Sequence, residues 1–86
     1  MSSTQLTRTN IGDWLRGRVV TYGELAPDSF SDDTPFADLG FTSVYALTLC
    51  GDIEDTFGLV VEPTIVWHHP TIRELADALE GLLERR

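Results

Sequence analysis

Residues 38–57 of this chain read DLGFTSVYALTLCGDIEDTF, and the fold follows from this stretch. It begins in a loop containing Leu39-Gly40 and continues into a segment whose apolar residues recur every three or four positions. That spacing is typical of a helix with one buried face. We therefore predict a helix from Ser43 to about Phe57, ended by Gly58, with a buried stripe of Ala46, Leu49, Cys50, Ile53 and Phe57.

Two further long helices are predicted, one on each side of this segment. The first runs from about Asn10 to Tyr22, with Thr9 or Asn10 as its N-cap. The last begins after Thr71, which forms a capping box with Glu74. Its apolar residues again follow a helical period, and they are Ile72, Leu75, Ala76, Leu79, Leu82 and Leu83.

The connections between these helices differ in length. Residues 23–41 should form a long loop with short helical turns, pinned to the core by Leu25, Phe30, Phe36 and Leu39. A short helix is expected around Thr64 to Trp67. Trp14 and Trp67 are predicted to be core aromatics. The predicted fold is all-α: a four-helix bundle of three longer helices and one short helix, with a long first loop.

The length of 86 residues allows one domain, covering residues 1–86, with a core of about 9–84 and a flexible segment at 1–8. A single cysteine, Cys50, excludes an internal disulfide and fits a reducing cytoplasm. The N-terminus lacks the features of a signal peptide, and no apolar run approaches the roughly 18–20 residues of a membrane-spanning helix. We therefore expect a cytoplasmic protein with no membrane partner.

The formal charge is −8, and the chain contains six arginines and no lysine. Between Val19 and Ile72 there is no Lys or Arg, but there are nine acidic residues. Proteins that bind nucleic acid gather basic residues on one face, so we expect no nucleic-acid partner. The negative field over the middle of the chain would attract basic partner surfaces. The alternative is that the acidity only keeps a small protein in solution.

Few residues are arranged as catalytic groups usually are. His68 and His69 are adjacent, so their side chains point in different directions and form no metal pair. Ser43 has no base placed to activate its hydroxyl, which argues against a hydrolase. No Gly-rich phosphate loop follows a strand. We expect no catalytic residue, no metal site and no free-standing enzyme.

The position of Ser43 suggests chemistry of another kind. Its hydroxyl should be exposed at the start of a helix, where unpaired backbone N–H groups and the positive end of the helix dipole favour a phosphate group. A phosphodiester could be held there without a basic side chain. The alternative is that Thr42 or Ser43 serves only as the N-cap of the helix.

Residues 38–44 resemble the phosphopantetheine attachment signature of the acyl carrier protein family, which usually reads Leu-Gly-x-Asp-Ser-Leu. Other stretches match family landmarks in the same order: DTPF at 33–36, FGL at 57–59 and VWHHPTIRELA at 66–76. The last of these resembles the His-Pro-Thr run of polyketide and nonribosomal peptide carriers. The resemblance covers roughly residues 11–83 and implies an acyl-carrier-like four-helix bundle.

Two positions depart from the family signature. Thr42 stands where the family usually has Asp, and Val44 where it usually has Leu. Thr42 can still cap the helix, but a negative charge beside Ser43 is lost, which bears on recognition by a generic phosphopantetheinyl transferase. Val44 keeps an apolar contact point and shortens it.

The resemblance implies that Ser43 carries 4′-phosphopantetheine, attached covalently from coenzyme A by a phosphopantetheinyl transferase. The thiol of this arm would hold acyl groups as thioesters in polyketide, related secondary-metabolite or fatty acid biosynthesis. The partners of this monomeric carrier would be the transferase, a ketosynthase, an acyltransferase and other synthase enzymes with basic docking surfaces. The implied docking residues lie on the second helix or near it: Val44, Leu47, Thr48, Gly51, Thr42, Asp38, Asp52 and Glu62.

Two alternatives to an acyl carrier remain at this point. The first is a peptidyl or aminoacyl carrier of a nonribosomal peptide pathway, although Gly40-Phe41 before the serine resembles polyketide carriers more closely than the Gly-Gly-His-Ser of peptide carriers. The second is an acidic helical interaction module that kept the fold and lost the modification. Thr42 is the residue that favours this second alternative.

Overall fold

The computed structural model describes residues 8–26 and 28–85, with side chains from residue 11 onward. This part of the chain contains four α-helices, a 3-10 turn and no β-strand beyond one isolated bridge between Pro35 and Thr71. The prediction of an all-α bundle with three longer helices and one short helix is confirmed. The helices are α1 (Arg8–Gly23), α2 (Ser43–Phe57), α3 (Ile65–His68) and α4 (Ile72–Glu84), and the 3-10 turn spans Phe36–Leu39.

Helix α2 has the predicted boundaries and the predicted buried stripe. Thr42 precedes it in an extended conformation, and its hydroxyl accepts a hydrogen bond from the Tyr45 N–H at 3.5 Å. At the other end Gly58 adopts the left-handed conformation with φ 73°, and its N–H donates to the Glu54 carbonyl. A residue without Cβ takes that conformation at little steric cost, which is why the helix ends there.

The start of α1 differs from the prediction. The helix already includes Arg8, so Thr9 and Asn10 lie inside it and neither is its N-cap. Thr and Asn favour caps because their side chains compete for backbone hydrogen bonds, but this preference is weak enough to be overridden within a helix. The predicted flexible segment at 1–8 lies outside the described residues except for Arg8.

Helix α4 begins as its capping box predicts, and it packs against α1. The Thr71 hydroxyl accepts a hydrogen bond from the Glu74 N–H at 3.1 Å. Its most buried residues are Ile72, Leu75, Ala76 and Leu79, whereas Leu82 and Leu83 are half-buried at the edge of the core. None of the described helices is long and apolar enough to span a membrane.

The long loop between α1 and α2 is held to the start of α4 by backbone hydrogen bonds. The Phe36 N–H donates to the Pro70 carbonyl at 2.7 Å, and the Arg73 N–H donates to the Asp32 carbonyl at 3.1 Å. Phe30 and Phe36 are buried in the core, and Leu25 and Leu39 pack against it, as predicted. Pro27, which we also assigned to this loop, lies outside the described residues.

The two tryptophans have different environments. Trp14 is half-buried and meets the Phe57 ring edge-on, with ring centroids 5.0 Å apart. Trp67 is 44% exposed, so the prediction that it is a core aromatic was wrong. Helix α3 is only four residues long and turns its neighbour Val66 inward, which leaves Trp67 at the surface.

The end of α1 contains a residue in an unfavourable backbone conformation. Glu24 has φ 53°, the left-handed region that glycine occupies most easily. The Leu25 N–H donates to the Val20 carbonyl at 3.2 Å across this residue, which is the hydrogen bond of a Schellman helix end. Gly23, one position earlier, has a different role, because a Cβ there would lie 3.0 Å from the Leu25 Cγ.

We predict that Glu24→Gly stabilises the protein. The left-handed conformation costs an L-residue roughly 1–2 kcal/mol, and the added freedom of glycine in the unfolded chain offsets only about half of this. The free energy of unfolding, measured by urea denaturation, should therefore rise by about 0.5–1 kcal/mol. Glu24→Ala is the control, because it removes the same charge but keeps the strained backbone. An equal gain in both variants would show that the charge, not the backbone, is responsible.

Candidate functional site

Ser43 is the first residue of α2, and its side chain is exposed. Within the described part of the chain its hydroxyl makes no hydrogen bond, so the oxygen is available for reaction. The first hydrogen bond of the helix runs from the Ala46 N–H to the Thr42 carbonyl at 3.0 Å. The N–H groups of Ser43 and Val44 therefore lie before the ladder begins, and they have no partner in the helix.

This environment fits a phosphodiester on Ser43. Unpaired N–H groups and the positive end of the α2 dipole both favour a negative group at the start of the helix. No acidic residue lies in the first turn of α2, so no neighbouring carboxylate within that turn repels a phosphate. Ser43 would hold the group covalently, and the first turn of α2 would stabilise its charge.

A cluster of aromatic rings lies beneath the start of α2. Phe41, two residues before Ser43, is 7% exposed and packs against Phe36 with ring centroids 4.9 Å apart. Tyr45 stacks on Tyr22 of α1, with centroids 6.0 Å apart and ring planes 7° from parallel. These contacts fix the residues on both sides of Ser43 against α1 and the 3-10 turn, so the serine is presented from a packed base.

Asp52 lies further along α2 and faces α1. Its carboxylate accepts a hydrogen bond from the Tyr22 hydroxyl and forms an ion pair with Arg18, Nη1 to Oδ2, at 3.5 Å. Burial of Tyr22, together with this hydrogen bond and the negative charge of Asp52, raises the pKa of Tyr22 to about 12. Asp52, which we predicted at the docking face, is therefore engaged inside the protein.

The remaining predicted docking residues of α2 lie together on its outer side. Val44 is 66% exposed and Leu47 is 60% exposed, and Thr48 and Gly51 are exposed as well. The intervals between these residues are three, four and seven, which places them on one face opposite the buried stripe. The structure thus brings together four of the eight residues as a single surface next to Ser43.

The acidic residues of the middle of the chain fall into two groups. Asp32 pairs with Arg16 at 2.8 Å and Asp33 pairs with Arg73 at 2.7 Å, and the Arg73 guanidinium lowers the pKa of the Asp33 carboxyl. A second group is exposed and forms no ion pair with any described residue, and it comprises Asp38, Glu54, Asp55 and Glu62.

Some surface features were missed in the sequence. Val60, in the connection after α2, is 81% exposed, and Trp67 is its only large aromatic counterpart among the described exposed apolar residues. The Tyr22–Asp52 contact was also missed, because no local pattern joins residues thirty positions apart. Over residues 8–26 and 28–85, no group of three or more potential metal ligands comes together, including around His68 and His69.

The similarity to known proteins matches this geometry. Residues 13–79, most of the chain, match the family described as the phosphopantetheine attachment site. The chain belongs to this family. Domains of the family carry covalently attached 4′-phosphopantetheine, so the predicted family and its cofactor are confirmed.

The carrier domain has relatives among large synthases. Polyketide synthase GfsA of Streptomyces halstedii is 39% identical over 83 residues, which cover 95% of this chain and 1% of that protein. Erythronolide synthase EryA3 of Saccharopolyspora erythraea is 42% identical over 62 residues, which cover 72% of this chain and 2% of the synthase. The carrier domain thus spans a very small part of the length of these relatives.

Solved structures of carrier proteins share the fold. A free-standing peptidyl carrier protein from Acinetobacter baumannii superimposes with a TM-score of 0.86 at 32% identity, covering 91% of this chain and 98% of that one. The acyl carrier protein LipD from Actinoplanes friuliensis gives a TM-score of 0.76 at 34% identity, covering 100% and 98%. The acyl-carrier-like bundle predicted from the sequence is therefore the observed fold.

We predict that the carrier domain contains a tyrosine that ionises only near pH 12. In a titration followed by tyrosinate absorbance, Tyr22→Phe should remove this late component, and Asp52→Asn should shift it to lower pH because the carboxylate no longer disfavours the phenolate. Since the folded pKa lies above the ordinary value of 10.0, the stabilisation is complete below pH 10 and is lost as the pH rises toward 12. Survival of the late component in Tyr22→Phe would contradict the assignment.

Proposed function

We propose that this domain carries acyl groups as thioesters on a phosphopantetheine arm at Ser43 and presents them to the enzymes of a polyketide synthase. The observation that carries the proposal is the exposed, unpaired Ser43 hydroxyl at the first position of α2, in a chain that matches the phosphopantetheine attachment family. The domain contributes no catalytic side chain in this proposal. Its partners perform the reactions, and it supplies position and local concentration.

The polyketide assignment rests on the relatives. The two synthases that match at 39% and 42% identity are both polyketide-producing by their names, whereas a nonribosomal peptide synthetase, ucdA of Aspergillus ustus, matches at 36% over 72 residues. Gly40-Phe41 before the serine supports the same side. A peptidyl carrier is therefore the less favoured alternative, although a peptidyl carrier shares the fold.

Attachment of the arm uses the Ser43 oxygen as the nucleophile. A bond forms between Ser43 Oγ and the phosphorus of the phosphopantetheine portion of coenzyme A. The bond from that phosphorus to the adenosine bisphosphate portion breaks, and the hydroxyl proton passes to a base on the transferase, because no described side chain of the domain bonds to Ser43 Oγ. When attached, the arm supplies a terminal thiol that can hold an acyl group.

The surroundings of Ser43 support docking of partner enzymes there. The exposed α2 residues Val44 and Leu47 offer apolar contact next to the serine. Asp38 and Glu62 are exposed acids that would attract basic surfaces from a distance. Thr42 would lie at the centre of such an interface, because it caps α2 directly before Ser43.

Modification of Ser43 is the decisive test of this proposal. The intact mass of the protein is measured after incubation with coenzyme A, magnesium and a broad-specificity phosphopantetheinyl transferase. We expect a gain of one phosphopantetheine group, and Ser43→Ala should abolish it because the nucleophilic oxygen is gone. Ser29→Ala is the matched control, since Ser29 is another exposed serine, and it should be modified like the wild type. No mass gain with several transferases would instead favour an unmodified interaction module.

Thr42 should limit how well a transferase with a basic surface recognises the domain. Thr42→Asp keeps an N-cap and restores a negative charge beside Ser43, so kcat/KM for modification should rise about fivefold, as expected for one added exposed charge pair. Thr42→Asn is the control, because it has the same shape and cap without the charge. Equal kinetics for the Asp and Asn variants would exclude charge at this position as the determinant.

A further inference from the structure

The outer face of α2 forms a surface that the fold itself does not use. We define the α2 outer strip as Val44, Leu47, Thr48 and Gly51. Val44 and Leu47 are 66% and 60% exposed, and they are two of only four large apolar residues that are exposed in the described chain. They recur on the same helical period as the buried stripe, so the strip begins next to Ser43 and continues for two turns.

The strip carries no charge and no free hydroxyl hydrogen. Asp52 follows Gly51 directly, but its carboxylate is held by Tyr22 and Arg18 on the α1 side. The Thr48 hydroxyl donates to the Val44 carbonyl at 3.1 Å, so its hydrogen is used within the helix. A charged partner group placed on this strip would be desolvated with no counter-charge to meet, which favours an apolar partner group.

Gly51 is the residue of the strip that the fold does not explain. No atom of the described chain lies within 4 Å of a Cβ built there, and the residue has no positive φ. Alanine would fit the position and would favour the helix more than glycine does. Packing inside the protein therefore does not require glycine at this position, whereas a close approach from outside would.

We propose that Gly51 is a specificity-determining residue for the modification of Ser43, at which the phosphopantetheinyl transferase lays an apolar side chain flat on α2 beside Leu47. The inference rests on the proposed function. The transferase is the partner in question because its reacting groups must reach the Ser43 oxygen itself, about 12 Å along the helix from Gly51. Enzymes that act on the end of the arm have no such requirement.

The test compares two exposed glycines in the middle of helices. Gly17 of α1 also has no atom within 4 Å of an added Cβ, but none of the exposed large apolar residues lies on its helix. Gly51→Ala and Gly17→Ala should both raise the unfolding temperature, by about 4 °C, because both replace glycine by a better helix former. Steady-state modification of each variant is then measured with a broad-specificity phosphopantetheinyl transferase and coenzyme A.

We expect KM for the carrier domain to rise about tenfold in Gly51→Ala with kcat unchanged, as a methyl group forced into a packed contact would cause. Gly17→Ala should have the kinetics of the wild type. Leu47→Ala should also raise KM, because it removes the apolar neighbour. The ratio of the Gly51→Ala and wild-type KM values should be the same at low and high salt, since an apolar contact is not screened.

Three results would decide against this inference or its basis. If Gly51→Ala is modified as efficiently as the wild type and Gly17→Ala, then no partner approaches closely at Gly51, while the proposed function stands. If the KM ratio falls toward one at high salt, the group over Gly51 is charged and the apolar occupant is wrong. If the wild-type protein is not modified at all, the proposed function itself fails.

Discussion

Helix α2 must be buried along one side and bare along the other, and the rest of the molecule is arranged around this requirement. Its buried stripe contacts the core to which α1, α4 and the long loop all contribute. Burial of that stripe is what holds a fifteen-residue helix in place, since a helix of this length has marginal stability alone. The opposite face is then free of structural duties, and it is the face that begins at Ser43.

The exact start of α2 matters as much as its orientation, because the reactive oxygen belongs to the first residue. Thr42 sets that start through its cap, and the rings of Phe41 and Tyr45 hold the residues on either side. The long loop delivers Phe41 to this place, so the loop cannot be loose. Its backbone bonds to Pro70 and Arg73 restrain it from the α4 side, which makes the loop part of the site rather than a simple connection.

Most of the fold could be predicted from local pattern. The bounds of α2 follow from the helical period of its stripe, from Thr42 and from Gly58, all of which act within a few residues. Trp67 could not be placed in this way, because whether a short helix turns Trp67 or Val66 inward depends on the neighbours that it packs against. Glu24 was likewise unpredictable, since glycine at the preceding position is the usual signal for a left-handed helix end.

The site could be predicted in its residue types but not in its electrostatics. Ser43 and the outward residues of α2 follow from the signature and the helical period. The partners of Asp52, by contrast, come from α1, so a carboxylate that seemed to belong to the docking face is used between helices. Arg16 and Arg73 likewise cross long sequence separations to reach Asp32 and Asp33, and only the tertiary fold determines such pairs.

This folding back of the arginines changes how the acidic middle of the chain can act. The acids that remain exposed and without an ion pair in the described chain precede and follow the α2 outer strip in sequence, namely Asp38, Glu54, Asp55 and Glu62, and none lies within it. Exposed charges act over about 8–10 Å in physiological salt, so they can attract and orient a basic partner before contact. Apolar contacts act only at close range and depend on shape. A carrier visited by several enzymes can therefore share one electrostatic attraction among all of them and still distinguish each by how its surface fits the bare helix face.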